Sequence, residues 1–323
     1  MNRFMLLALI FALPSAAYAD LGADTAKEIA NAAGDSRLVI LGEMHGTREI
    51  PDLVAVLAER YAAQGPLVLA LEMERTEHDA LARYMASDGA VAARDELRRR
   101  PYWNIADGSN DGRRSVDMLD LIESMRVLKA AGRDVAISPY DKPPGSSTGE
   151  DDRERTMANY LHSIHRALPR GRILVLTGNL HATLQPLNLP GIGTSVEPMA
   201  YHLRELQPYS IKISAGAGEI WGCRSVRVCG PIPYSGSGKS GPWRGSNGHY
   251  HYQVVLPAFS AAQLSGGAGL DSPWSSEKRP SQLPPATHRE SRKLQPDPRL
   301  NWLFLTAWLP AVDCCMPVRC GSA

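Results

Sequence analysis

Short unbroken apolar runs alternate along this chain with longer stretches in which apolar positions recur every three or four residues. Leu38-Val-Ile-Leu41, Leu67 to Met73, Val135-Ala-Ile137 and Arg172 to Thr177 have strand length and are rich in leucine and β-branched residues. Such runs read as strands buried on both faces. Between the first two, Ile50, Leu53, Val54, Leu57 and Tyr61 keep helical spacing until Gly65-Pro66. Thr76, with Asp79 three residues on, starts another helix in the manner of a capping box, and Ala90 to Arg100 is charged and helical until Pro101. Val116, Leu119, Ile122, Met125 and Leu128 form a further stripe up to Gly132, and Arg153 to Leu168 forms another.

The alternation predicts an α/β fold: a wound, mostly parallel sheet flanked by helices in a single main domain. Ala23 to Ala33 adds a short leading helix and Ser195 to Leu206 a short late one. Tyr209 to Ser214 and Tyr250 to Leu256 read as late strands separated by a Gly/Ser/Pro-rich region, which makes the sheet mixed.

The two ends have a different texture. Arg3, an apolar stretch from Phe4 to Leu13, Pro14 and then Ala17-Tyr18-Ala19 before Asp20 follow the pattern of a secretory signal peptide cut after Ala19. The apolar part, about 10 residues, is half the roughly 20 needed to span a bilayer. Residues 1–19 are therefore expected to be a leader, 20–256 the α/β domain, and 257–323 a Pro/Ser-rich extension without an independent core. The apolar patch Trp302 to Trp308 lies in that extension. A periplasmic or secreted protein with no membrane span is expected.

Composition narrows the partners. The chain has 323 residues, 44% of them hydrophobic, which is enough for a full core, and its formal charge of +1 gives no reason to expect nucleic acid. Of the five cysteines, Cys223 and Cys229 are spaced to staple a loop or hairpin in an oxidising compartment, and Cys314, Cys315 and Cys320 have no metal spacing. Gly236-Ser237-Gly238-Lys239-Ser240 lacks the first glycine and leading strand of a phosphate loop and reads as a linker.

The chemistry gathers at strand ends. Gly42-Glu43-Met44-His45 follows the first strand and Gly178-Asn179-Leu180-His181 follows the fourth, so two Gly-x-x-His tetrapeptides are expected on one rim, where ligands collect in parallel sheets. Glu43 and His45, two apart in extended chain, point to one side, and a carboxylate beside an imidazole fixes its tautomer and raises its basicity. Glu72, closing the second buried strand, needs a partner or a function, whereas Glu74 beyond it is read as solvated. Asn179 is placed to orient a ligand or the His181 ring, Asp141 closes the third strand, and the loop from Tyr102 to Arg114 is read as a wall of the site. Thr47 is the expected cap of the helix that follows His45. His249 with His251 and His162 with His165 are read as an edge-strand face and a helix surface.

Four ordered pieces resemble the superfamily that joins erythromycin esterase-like hydrolases, ChaN-like haem-binding proteins and the Tiki/TraB proteases. They are Leu41 to Glu49 (LGEMHGTRE), Leu69 to Met73 (LALEM), Arg153 to Ala158 (RERTMA) and Thr177 to Ala182 (TGNLHA), within roughly residues 36 to 205. The resemblance implies an α/β fold with a cleft at the strand ends. There His45 works as a base with Glu43 and Glu72, and His181 forms a second polar pole. A divalent metal held by His45, His181 and Glu72 is the variant, with Arg153, Asp141 and Asn179 as substrate-binding residues. Glu154 stands where an aspartate is expected. The chain lacks the large helical insertion of the esterases and the lipoprotein cysteine of ChaN-like proteins. Two functions remain open: an exported hydrolase acting on an ester or amide-like bond of a small molecule, or a haem- or metal-binding protein without turnover, with Tyr102 or a histidine reaching the iron. A scaffold with neither property is the third option.

Overall fold

A computed structural model describes residues 14–143, 150–188, 195–225, 227–236, 241–242 and 248–265. The strands are β1 (Leu38–Glu43), β2 (Leu67–Glu74), β3 (Val135–Asp141), β4 (Arg172–Gly178), β5 (Leu187–Asn188), β6 (Ser195–Val196), β7 (Tyr209–Ser225), β8 (Val228–Ser235), β9 (Gly241–Pro242) and β10 (Tyr252–Phe259). The helices are α1 (Pro14–Ala33), α2 (Glu49–Ala62), α3 (His78–Met85), α4 (Val91–Arg98), α5 (Val116–Ala130), α6 (Glu150–Ala167) and α7 (Met199–His202).

One sheet runs β3-β2-β4-β1-β7-β10-β9. Its first six strands are mutually parallel, while β9 and β8 add antiparallel pairings to β10 and β7. The fold is thus the wound, mostly parallel α/β sheet expected, with mixed late strands.

The unbroken apolar runs are explained by two cores. Val39 and Leu41 of β1, Leu69 and Leu71 of β2 and Leu174 and Leu176 of β4 face one layer, which is filled by residues of α1 to α5. The alternate residues Leu38, Ile40, Val68, Ala70, Ile173 and Val175 face Met157, Ala158 and Leu161 of α6 and Met199 and Ala200 of α7. A strand covered on both faces has no solvent side to mark with polar residues. Each fully buried Leu or Ile in these layers contributes about 1.5–3 kcal/mol of transfer free energy.

Several local expectations are corrected. Helix α1 starts at Pro14 rather than Ala23, since the alanines before Asp20 are strong helix formers. The capping box at Thr76 does not form: a 3-10 turn (Arg75–Glu77) precedes α3, and the Thr76 hydroxyl donates to Glu74 instead. Thr47 does not cap α2 either, because the N-cap position is Arg48 and the Thr47 hydroxyl is buried without a partner. Strand β7 is much longer than Tyr209 to Ser214, leaving the sheet to pair with β8 as a two-stranded ribbon. Strand β10 begins at Tyr252 rather than Tyr250 and continues past the expected domain edge at 256. The chain then straps back to Ser265, with Ala262 N–H donating to Gly46 O and Val116 N–H to Gln263 O.

Cys223 and Cys229 form a disulfide across the ribbon. Among the described residues no helix is long and apolar enough to cross a membrane. The cysteines at 314, 315 and 320, the 302–308 patch, and 237–240 of the linker lie outside the described residues.

Candidate active site

The carboxyl ends of β1 and β4 lie side by side, with Gly42 opposite Thr177 and Glu43 opposite Gly178, so the two tetrapeptides meet. Their glycines make the meeting possible. A Cβ on Gly42 would lie 2.8 Å from Ala182 Cβ, and one on Gly178 would lie 3.0 Å from His45 Nε2.

Glu72 is the centre. Its strand continues the Val68 and Ala70 face at a point where the ladder between β2 and β3 shifts register, and such a bulge re-aims a side chain. Its Oε1 accepts from Arg113 Nη1 at 2.6 Å and Arg153 Nη2 at 2.9 Å. Its Oε2 accepts from the Thr177 hydroxyl at 2.8 Å and the Gly178 N–H at 2.7 Å. Burial favours the neutral acid, but the charges of His181, Arg113, His45 and Arg153 outweigh it and hold the carboxyl well below its ordinary value.

The imidazoles flank this carboxylate. His45 Nδ1 is 2.8 Å from Glu43 Oε1, and its Nε2 is 3.8 Å from Glu72 Oε2, too far for a hydrogen bond. Burial raises the pKa of Glu43, partly countered by the bond from His45. His181 Nδ1 is 2.7 Å from Glu154 Oε1, while its Nε2 faces Arg153 Nη1 at 3.0 Å. Glu154 is fixed in turn by the Met199 N–H at 2.7 Å. Burial opposes a charge on His181, yet Glu72 and Glu154 outweigh it and raise its pKa. Arg153 pulls the other way, because a guanidinium only donates and so needs a lone pair at Nε2. The second proton therefore reaches His181 only as Nε2 and Arg153 part.

Every expected pole of the cluster is brought together, but not every one is free. Arg153 and Asp141, expected to bind substrate, are bound to each other at 2.6 Å, and Arg153 also holds Glu72. Asn179 donates its N–H to Glu43 O at 2.9 Å, and its side-chain oxygen is buried over Gly42 without a partner. Glu74 is half-buried, 3.9 Å from Arg114. His251 accepts from Ser210 N–H and stacks on Tyr209, and His162 pairs with Glu205.

Three contributors were not singled out from the sequence. Arg113 joins Glu72 to Asp111, whose pKa is lowered to about 2 against its burial chiefly by Arg113. Glu154, noted only as a departure from the expected aspartate, orients His181. The sequence signal for the first two was the charged run Asp111-Gly-Arg-Arg114 immediately before the helix cap Ser115.

The donor set does not fit the expected metal. His45, His181 and Glu72 converge, but both Glu72 oxygens and His181 Nε2 already face donors, and an ion there would sit against two guanidiniums. Among the described residues no group of His, Cys, Asp and Glu is arranged to hold a metal. Nor does Tyr102 reach toward a haem. It is buried under the Arg114 guanidinium, 4.5 Å from its ring centre, and lines a void of about 10 Å³ with Glu43, Glu72 and Arg113. That void has room for one water.

The parallel sheet with helices on both faces is an α/β fold shared with solved structures. A mutant of the erythromycin esterase EreC in its open conformation superposes with a TM-score of 0.54 at 12% identity, covering 75% of this chain and 95% of that one. A Bacillus cereus protein superposes with a TM-score of 0.50 at 13% identity, covering 75% and 93%. At these identities the likeness is one of fold. No protein-family profile and no curated protein matches the chain.

Proposed function

We propose that this protein is an exported hydrolase in which His45 Nε2 takes a proton from water as that water attacks an ester or amide-like carbonyl of a small molecule. One observation carries the reading. His45 Nδ1 lies 2.8 Å from Glu43 Oε1, and with Glu43 as the carboxylate that nitrogen carries the proton and the lone pair is on Nε2, which makes no hydrogen bond among the described residues while the ring keeps 24% exposure. A fixed tautomer with an open lone pair is what a general base requires. The proton then passes from Nε2 to the leaving group, and Glu43 stabilises the intervening imidazolium. Glu72, Arg113, Arg153 and His181 form the charged floor that keeps the ring in place.

Export rests on the leader read in residues 1–19 and is supported by the Cys223–Cys229 disulfide, which suits an oxidising compartment. Binding of haem or metal without turnover has no observation in its favour, given the fit described above.

The test is hydrolysis of a panel of small aryl and alkyl esters and anilides by the purified protein, with and without EDTA. Turnover unaffected by EDTA and lost in His45→Ala supports the reading. Absence of turnover across the panel, or activity abolished by EDTA and restored by a divalent ion, contradicts it.

A further inference from the structure

The β7–β8 ribbon leaves the sheet after Gly218 and meets the loop that follows His45 and the loop that carries Arg113. At the crossing, Trp221 makes two bonds. Its backbone N–H donates to Gly46 O at 2.8 Å, one residue after His45, and its indole Nε1–H donates to Asn110 O at 2.8 Å, one residue before Asp111. The fit is close on both sides. Gly46 (φ +74°) and Gly112 (φ +93°) hold backbone conformations open to glycine, and a Cβ on either would lie 1.9 Å or 2.8 Å from Trp221 O. A Cβ on Gly112 would also lie 2.3 Å from Gly46 Cα, so the two loops and the ribbon touch backbone to backbone.

We infer that Trp221 is a positioning residue for the His45 site, tying the loop of the base and the loop of Arg113 to one rigid ribbon. This rests on the hydrolase reading only for its kinetic consequence. Among the described residues Trp221 makes no hydrogen bond to either imidazole; it acts through Gly46 and Asn110. The disulfide supports the same crossing, since Cys223 and Cys229 face each other across the ladder two residues beyond Trp221, with Cys223 Sγ 3.8 Å from Asn110 O. The His181 loop is tied by other elements: Glu154 and Arg153 of α6 face its ring, Ala200 N–H donates to His181 O at 3.0 Å, and the Tyr250 hydroxyl donates to Asn179 O at 2.7 Å. The hydrogen bonds of Trp221 therefore fall on the His45 half of the site.

The experiment is histidine side-chain ¹H–¹⁵N spectroscopy of the full chain, wild type against Trp221→Phe, with His45→Gln and His181→Gln spectra for assignment. Phenylalanine keeps an aromatic ring and the backbone N–H and removes the indole donor together with the five-membered ring that carries it. Expected is a His45 ring that moves from a single Nδ1–H tautomer toward exchanging tautomers, with the His181 signals unchanged. Cys223→Ser/Cys229→Ser is expected to move His45 in the same direction by less. In turnover, Trp221→Phe is expected to lower kcat about tenfold with KM altered less than about twofold, as for a slightly misplaced base. A folded Trp221→Phe with an unaltered His45 spectrum overturns the inference, as does an equal change at both histidines, which is general loosening. If wild type hydrolyses nothing, the hydrolase reading fails alone and the spectra still decide the role of Trp221.

Discussion

The two Gly-x-x-His tetrapeptides are alike in sequence and in the way a glutamate holds each Nδ1, and they differ at the other ring nitrogen. His181 Nε2 faces a guanidinium 3.0 Å away, whereas His45 Nε2 makes no hydrogen bond among the described residues. The rings are 15% and 24% exposed, so the free nitrogen also belongs to the more open ring. The partner that makes the difference, Arg153, comes from α6, far from either motif. A repeated motif thus yields one ring suited to take a proton and one suited to hold a charged floor, and a residue outside the motif decides which is which.

The largest effect separating the two should come from removing each ring. His45→Ala is expected to lower ester turnover by roughly 10²–10⁴-fold, the usual contribution of a general base. His181→Ala leaves that nitrogen intact and is expected to cost about tenfold through displacement of its neighbours. Equal losses would erase the distinction.

Next in size is the shared floor. Glu72→Gln leaves Arg113 and Arg153 buried against a neutral amide, and breaking such a buried pair costs about 3–5 kcal/mol. Urea unfolding should show it; a loss below about 1 kcal/mol would mean the guanidiniums find water instead.

The glycines should separate the halves more gently. Gly178→Ala places a methyl 3.0 Å from His45 Nε2, so turnover is expected to fall about tenfold with little change in Tm. Gly42→Ala meets Ala182 Cβ at 2.8 Å instead and is expected to lose about 1–3 kcal/mol by overpacking. Reversal of that pattern would break the assignment of the two poles.

The smallest effect is the acid limb of stability. Asp111 has its pKa lowered to about 2, so its charge contributes stability that is present above its unfolded pKa near 4 and is lost as pH falls through about 2. His181 has the opposite sign: its pKa is raised, so its contribution is full below about 6.5 and fades as pH rises through the folded value. Because Asp111 is 32% exposed, Asp111→Asn is expected to cost on the order of 1 kcal/mol at neutral pH. The gap from wild type in denaturant midpoint should close toward pH 2. A gap independent of pH would remove Asp111 from the charged network.

The sheet and the meeting of the tetrapeptides were legible because both depend on local pattern. Apolar runs set β1, β2 and β4, and a spacing of two along extended chain set Glu43 beside His45. Arg113, Asp111 and the partnership of Glu154 with His181 were not legible, because a long charged side chain reveals its partner only once the loop carrying it has been laid against the strand ends. The same holds for the metal expectation. His45, His181 and Glu72 have the right donor types, and it is the arrival of two arginines from other elements that closes the site to a cation.

The most direct measurement is chemical rescue: ester turnover by His45→Ala and by His181→Ala as imidazole is added at fixed pH. Rescue of His45→Ala in proportion to neutral imidazole, with none for His181→Ala, is expected if Nε2 of His45 is the base. Rescue of His181→Ala, or of neither while both lose activity equally, would contradict it.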